Sequence, residues 1–150
     1  MDSYLQAIQN VFNVFLSDFY FKNVSYYDVA NKMTTESDQE ENYENFHHGF
    51  FLGLFTMIGA DYLVDSNREY GLGRADIVVI PKDVRKPAYV FEFKWESTRG
   101  SKTLESLCED ALTQMEEKKY LEGVRQKHGN VEVIGLAVGT KGKEIEIRVH

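Results

Sequence analysis

The sequence predicts an α/β fold in which helices cover a central mixed β-sheet. After an extra N-terminal helix, the apolar patterns follow the order helix, three strands, helix, two strands. Apolar residues recur every three or four positions in the helical stretches and alternate in most strands. Because a long helix separates the third and fourth strands, we expect it to form a right-handed crossover between parallel neighbours.

Two helices are expected in the first 60 residues. Tyr4–Phe21 carries apolar side chains at helical spacing, and Glu44–Ile58 is apolar on nearly every side, which is typical of a buried helix. The polar, acidic stretch Thr34–Asn42 between them indicates a surface loop. We therefore divide the chain into residues 1–42, a helix and linker packed on or leading into the core, and residues 43–150, the α/β domain.

Three strands follow, because β-branched and aromatic residues alternate there with polar ones. They are expected at roughly Tyr62–Glu69, Ala75–Ile80 and Ala88–Glu96. Gly71 and Gly73 would form the first turn, and a polar loop with a proline at each end would form the second. Such short turns favour antiparallel hairpins.

One helix and two strands complete the predicted sheet. Thr103–Leu121 has acidic residues early and lysines late, as the helix dipole favours, and Gly123 would close it. Val131–Val138 is apolar on both faces, which is typical of a strand covered by helices on each side. The alternation in Glu144–Val149 indicates an edge strand.

Composition restricts the class of protein. With 150 residues, 43% hydrophobic and 27% charged, the chain suits one ordinary globular domain. No apolar run approaches a membrane span, and the N-terminus does not resemble a secretory signal, so we expect a cytoplasmic protein without membrane contact. The single cysteine, Cys108, excludes an internal disulfide and falls on an apolar helical stripe, which indicates a core residue rather than a nucleophile.

The net charge of −7 argues against tight autonomous binding to nucleic acid, because proteins that bind phosphate backbones are usually basic. A carboxylate metal site would account for part of this negative charge, since bound cations offset it. Positive residues also cluster locally, at Lys82, Arg85 and Lys86, at Arg99 and Lys102, and at Lys118, Lys119, Arg125 and Lys127.

The predicted chemistry lies on the second and third strands. Glu92 and Lys94 must point to the same face of their strand, and the hairpin brings Asp76 beside them. Two carboxylates and a lysine at one place are typical of a magnesium-dependent phosphodiesterase, with the backbone carbonyl of Phe93 as a further metal ligand. The alternative is a structural ion pair, which explains three charges on one buried face less well.

The role of Lys94 stays open between orienting or deprotonating the attacking water and stabilising negative charge on phosphorus. Glu44 opens the predicted buried helix, where it is either a further metal ligand or an acid that the helix dipole stabilises. Gln114 lies on the sheet-facing stripe of its helix, where it either orients water or phosphate or makes a core hydrogen bond. Tyr120 could stack on a ligand or make a hydrogen bond, but an exposed tyrosine alone does not indicate a site.

Together these residues resemble the PD-(D/E)XK nuclease superfamily, whose motif matches Asp76 followed by Glu92-Phe93-Lys94. Ala75 stands where the name-giving proline would be. Further segments are similar to one branch, in which the nuclease-like domain usually follows an AAA-like ATPase domain. The similar segments are Glu44–Phe50, Gly71–Asp76, Phe91–Lys94 and Ala111–Tyr120. The resemblance extends over about Tyr26–Val149.

The resemblance implies a restriction-endonuclease-like core for residues 43–150, Mg²⁺ or Mn²⁺ as cofactor, and nucleic acid, with DNA favoured, as substrate. It also implies an ATPase partner, in a longer chain or as a separate protein, and leaves a homo-oligomer open. The implied site comprises Asp76 and Glu92 as metal ligands, Lys94 as catalytic residue, and Glu44 and Gln114 in supporting roles. The alternative function is a nuclease-like binding module with weak or no catalysis, suggested by the acidic charge and the absence of an ATPase half.

Overall fold

The structure is a computed structural model that describes residues 3–23, 48–53, 55 and 61–150. It contains one five-stranded sheet among these residues, with the strands side by side in chain order. Only β3 and β4 are parallel, and the other neighbouring pairs are antiparallel. The strands are β1 Tyr62–Tyr70, β2 Gly73–Pro81, β3 Ala88–Glu96, β4 Val133–Lys141 and β5 Glu144–Val149. The predicted mixed sheet is thereby confirmed.

Helix α1 spans Ser3–Asn23, and residues 48–53 and 55 are also helical. Helices α2, Leu104–Glu117, and α3, Tyr120–His128, form the crossover between β3 and β4. The Thr103 hydroxyl caps α2 by accepting a hydrogen bond from the backbone N–H of Ser106. None of the helices in the described ranges is long and apolar enough to cross a membrane.

The prediction of one helix over Thr103–Leu121 was wrong, because the helix breaks at Lys118 and Lys119. Lys119 adopts a left-handed conformation, with φ of 54°, and α3 continues past Gly123. Gly123 serves close packing instead of capping, since a Cβ there would lie 2.1 Å from the backbone nitrogen of Gly71. The positive φ of 79° that follows α3 belongs to Gly129.

The sheet buries an apolar cluster on each side. On what we term the α1 face, α1 and the helical residues around Phe51 and Phe55 pack on Phe91 and on apolar residues of β2 and β3 such as Ile77 and Val79. On the α2 face, small side chains such as Ala88 and Ala137 pack against α2 and α3. Cys108 is fully buried there, as predicted for a core residue.

Helix α1 also covers the free edge of β5 with polar side chains. Asn13 donates to the carbonyl of Ile147 and accepts from its N–H, at 2.8 and 2.7 Å. One turn earlier, Gln9 accepts from the N–H of Val149 at 2.9 Å. These side chains satisfy backbone groups that would otherwise be open to another strand. Although α1 packs on the sheet, the division at residue 42 lies outside the described residues and stays a prediction.

Candidate active site

The ladder between β2 and β3 opens at the predicted site. Its last pair is Ile77 with Phe91, and the next pair in the same register would be Asp76 with Glu92, but the pairing stops before it. The N–H of Phe93 donates instead to Oδ2 of Asp76, at 2.9 Å. A side chain therefore replaces the strand ladder at this point, and the two carboxylates lie opposite each other where β2 and β3 separate.

The pairing of Asp76 with the strand on its other side, β1, is also irregular. In the β1–β2 register, Asn67 lies opposite Asp76, yet the pairing skips this position. Asn67 has a φ of 51°, a left-handed conformation that asparagine tolerates better than most residues. Regular sheet pairing is thus absent on both sides of Asp76, although Ala75 and Ile77 stay paired with β1.

Glu92 is the buried charged group of the site. Its side chain is 2% exposed, and its Oε2 has no hydrogen-bond partner among the described residues. Lys94 Nζ lies 3.9 Å from Oε1, beyond a short hydrogen bond. Burial and the nearby charge of Asp76 raise the pKa of the Glu92 carboxyl to about 8. Such an incompletely compensated carboxylate favours a cation at this place.

A chain of hydrogen bonds holds Lys94. Its ammonium donates to Oε1 of Gln114 at 2.5 Å, and Nε2 of Gln114 donates to Oη of Tyr120 at 3.1 Å. The Tyr120 hydroxyl in turn donates to the carbonyl of Arg74 at 2.8 Å. Both ends of the Gln114 amide are therefore engaged, and the helix is tied to the strand that carries Asp76.

Tyr120 makes hydrogen bonds, one of the two possibilities that the sequence left open, but it is buried and not exposed, with only 1% of its surface accessible. Burial raises the pKa of Tyr120, and the charges of Glu92 and Asp76 act in the same direction. In a continuous helix, Tyr120 would lie about 240° around the axis from Gln114. The break at Lys118 and Lys119 returns it to the side of Gln114, and no periodic pattern in the sequence indicated this break.

A comparison with known protein families matches residues 42–148, more than half of the chain, to the PD-(D/E)XK nuclease superfamily. The chain belongs to the PD-(D/E)XK nuclease superfamily. Searches of curated proteins and of solved structures found no match. The family match and the helix-flanked mixed sheet confirm the predicted restriction-endonuclease-like fold. The branch associated with ATPase domains stays a prediction.

PD-(D/E)XK nucleases generally use divalent metals, and the residues present fit such an ion. Mg²⁺ is commonly held by one or two carboxylates together with waters and substrate phosphate. Asp76 and Glu92 supply the two carboxylates, and the buried Oε2 of Glu92 lacks a partner within the described part of the chain. Among the described residues, no three His, Cys, Asp or Glu side chains are placed to hold a metal ion together, so these two acids are the core of the candidate centre.

Glu44, the third acid assigned to the site, lies outside the described residues, and its role stays a prediction. His48, four residues later in the sequence, is described and lies on the α1 face, where Nε2 is 2.5 Å from Oγ of Ser66. Cys108 is no alternative nucleophile, because burial raises the pKa of its thiol to about 12. The residues brought together by the structure are therefore Asp76, Glu92, Lys94 and Gln114.

Proposed function

We propose that this protein is a Mg²⁺- or Mn²⁺-dependent nuclease that hydrolyses phosphodiester bonds of nucleic acid, with DNA as the favoured substrate. One observation carries the proposal. Asp76 and Glu92 are held opposite each other where the β2–β3 ladder opens, and the buried Oε2 of Glu92 has no partner among the described residues. This arrangement offers a cation negative charge in a site where water is restricted.

Asp76, Glu92 and the backbone carbonyl of Phe93 would hold the divalent ion, with Glu44 as a further candidate ligand. When bound, the ion would polarise the scissile phosphate and activate the attacking water. The N–H of Phe93 orients Asp76 through its 2.9 Å hydrogen bond. This contact links the conformation of β3 directly to the position of the proposed ligand.

Lys94 is the proposed catalytic residue. Its side chain is 32% exposed, and a hydrogen bond to Gln114 holds its ammonium 3.9 Å from Oε1 of Glu92. A lysine in this position can donate a hydrogen bond to a phosphate oxygen and stabilise the negative charge that develops there. Gln114 and Tyr120 are positioning residues for this ammonium. Gln114 accepts a hydrogen bond from it directly, and Tyr120 holds Gln114 through a second hydrogen bond.

The expected setting is cytoplasmic, with an AAA-like ATPase as the proposed partner. A catalytically weak binding module is the second candidate, because the net charge of −7 disfavours tight autonomous contact with a phosphate backbone. The two candidates differ in one measurable property. The nuclease cleaves nucleic acid when Mn²⁺ or Mg²⁺ is added, and the binding module does not.

Mn²⁺ titration calorimetry and a plasmid-cleavage assay test the proposal on wild type, Asp76→Asn and Lys94→Met. We expect Asp76→Asn to lose both Mn²⁺ binding and cleavage. Lys94→Met should keep Mn²⁺ binding while cleavage falls by about 10²-fold or more. Asp83→Asn is the matched control, because it removes a carboxylate from the exposed β2–β3 loop and should change neither result.

Wild-type cleavage by Asp76→Asn would contradict the assignment of the site. Mn²⁺ binding without cleavage of either DNA or RNA would favour the binding module instead.

A further inference from the structure

We propose that Asn67 is a positioning residue for the candidate metal centre, because its left-handed backbone allows Asp76 to turn its carboxylate toward β3. This inference rests on the proposed nuclease function and adds a residue of β1 to it. Asn67 lies opposite Asp76 in the β1–β2 register, and this pair is missing from the ladder. Its φ of 51° is one of only two positive values at non-glycine positions in the described ranges.

The side chains of β2 lose their regular alternation at Asp76. Ile77 packs in the apolar cluster of the α1 face, and Val78 packs in that of the α2 face. Alternation along the strand therefore predicts that Ala75 shares the face of Ile77. Ala75 packs instead in the cluster of the α2 face. The two neighbours of Asp76 thus point to opposite faces of the sheet, a change that we term the reversal.

The same reversal occurs in β1 at Asn67. Before it, Ser66 contacts His48 on the α1 face. After it, Arg68 lies directly opposite Ala75 and therefore belongs to the α2 face, since residues directly opposite each other share a face. In a regular strand, Ser66 and Arg68 would lie on the same face, because they are two residues apart. The left-handed residue between them separates the two faces.

A hydrogen bond within β1 gives independent evidence for the reversal. The hydroxyl of Tyr70 donates to Oδ2 of Asp65 at 2.5 Å. Residues five apart on a regular strand point to opposite faces. Here both belong to the α2 face, because Asp65 lies opposite Val78 and Tyr70 packs in the cluster of that face. The bond therefore spans Asn67, and the 2% exposed Tyr70 holds the reversal in place.

The reversal gives the carboxylate of Asp76 its direction. Ladder hydrogen bonds run from strand to strand within the sheet. The N–H of Phe93 on β3 donates to Oδ2 of Asp76 at 2.9 Å, so this carboxylate takes the place of a ladder carbonyl. On a regularly alternating strand, the side chain of Asp76 would point to one face and away from the ladder.

The conformation of Asn67 restricts which residues can replace it. Glycine and asparagine tolerate a positive φ, whereas a β-branched residue is an outlier there. If Asn67 adopted the extended backbone of a strand, regular alternation would resume in β1. Because Ala75 and Ile77 are both paired with β1, β2 would have to follow, and Asp76 would turn away from β3.

The experiment compares Asn67→Val with Asn67→Gly, and Leu63→Val is the matched control. Glycine removes the amide side chain but allows a positive φ, whereas valine opposes it. Leu63 receives the same valine on the same strand, where it is 56% exposed and regularly paired. Hydrogen exchange of the Phe93 amide is measured by NMR in EDTA, so this measurement needs neither metal nor nucleic acid. Mn²⁺ calorimetry on the same proteins then measures metal affinity.

We expect Asn67→Val to speed exchange of the Phe93 amide and to weaken Mn²⁺ binding, each by about tenfold, which corresponds to the usual cost of a left-handed residue. Asn67→Gly and Leu63→Val should keep both wild-type values. The amides of β4 should stay protected in every variant, which would show that the fold is intact. If valine prevents folding, Asn67→Ala takes its place, because alanine opposes a positive φ less strongly.

Wild-type exchange at Phe93 in Asn67→Val, or equal changes in Asn67→Val and Asn67→Gly, would overturn this inference and leave the proposed nuclease intact. A lower free energy of unfolding with unchanged exchange and Mn²⁺ affinity would also overturn it, because Asn67 would then have a purely structural role. A wild type that neither binds Mn²⁺ nor cleaves nucleic acid would overturn both proposals.

Discussion

The two faces of the sheet are made by alternate residues of the same strand, and they have different tasks. On the α1 face, the ring of Phe91 lies 4.4 Å from that of Phe55, and Phe93 lies 4.8 Å from Phe51, centroid to centroid. Such aromatic pairs add directional contacts to the burial of large apolar surfaces. This face consequently holds β3 in place.

On the α2 face, the same strand presents Val90, then Glu92 and Lys94. Here a buried carboxylate has an unpartnered oxygen within the described part of the structure, and a lysine is held by a helix. The α1 face stabilises the strand, whereas the α2 face carries the groups that are costly to bury. Because consecutive side chains of a strand point to opposite faces, residues that stabilise β3 alternate with residues that carry the proposed chemistry. Substitutions at neighbouring positions should therefore affect stability and activity differently.

The largest effect is expected from Phe91→Ala on the α1 face. Removing this 1% exposed ring leaves a cavity between rings of α1, β3 and the helical residues near Phe55. The free energy of unfolding should fall by about 3–5 kcal/mol, as measured by urea denaturation. A loss below about 1 kcal/mol would contradict the view that this face carries the stability of β3.

The next effect concerns Glu92 itself. Its ordinary pKa of 4.5 rises to about 8 in the folded protein, so folding takes up a proton between these two pH values. The free energy of unfolding of the metal-free protein should therefore fall as the pH rises through this window, by up to about 1.4 kcal/mol per pH unit. Urea denaturation in EDTA across this range measures the slope.

Glu92→Gln should remove most of this slope, and at pH 8 it should be at least as stable as wild type while it loses Mn²⁺ binding. The neighbouring substitution Phe91→Ala should keep the slope. Parallel pH profiles for wild type and Glu92→Gln would show that this carboxyl is not the group that titrates.

The smallest effect is expected from Tyr120→Phe, which removes one hydroxyl from the α2 face. The carbonyl of Arg74 and the amide of Gln114 each lose a partner, which should cost about 1–2 kcal/mol of unfolding free energy. Cleavage should also slow, because Lys94 depends on Gln114, while Mn²⁺ affinity stays unchanged. Tyr89→Phe is the control on the α1 face, where the Tyr89 hydroxyl makes no hydrogen bond with described residues.

Equal changes in stability and cleavage for Tyr120→Phe and Tyr89→Phe would contradict a positioning role for the Tyr120 hydroxyl.

Local patterns in the sequence predicted much of this arrangement. Alternation along β3 assigned Glu92 and Lys94 to one face and the aromatic residues to the other, because side-chain direction on a strand is a local property. The five strands and the crossover followed from periodicity and turn residues for the same reason. The polar stripe of Gln9 and Asn13 carried no comparable signal, since its partner β5 lies more than 100 residues later.

The tertiary structure decided the features that depend on contacts between distant segments. It ended the β2–β3 ladder before Asp76, whose carboxylate accepts a hydrogen bond from the N–H of Phe93. It also broke the crossover helix at Lys119, where the β1–β2 turn docks, and so buried Tyr120 against Gln114. Sequence periodicity reports which side of an element is apolar, whereas the position of a break or an opening depends on which backbone packs against it.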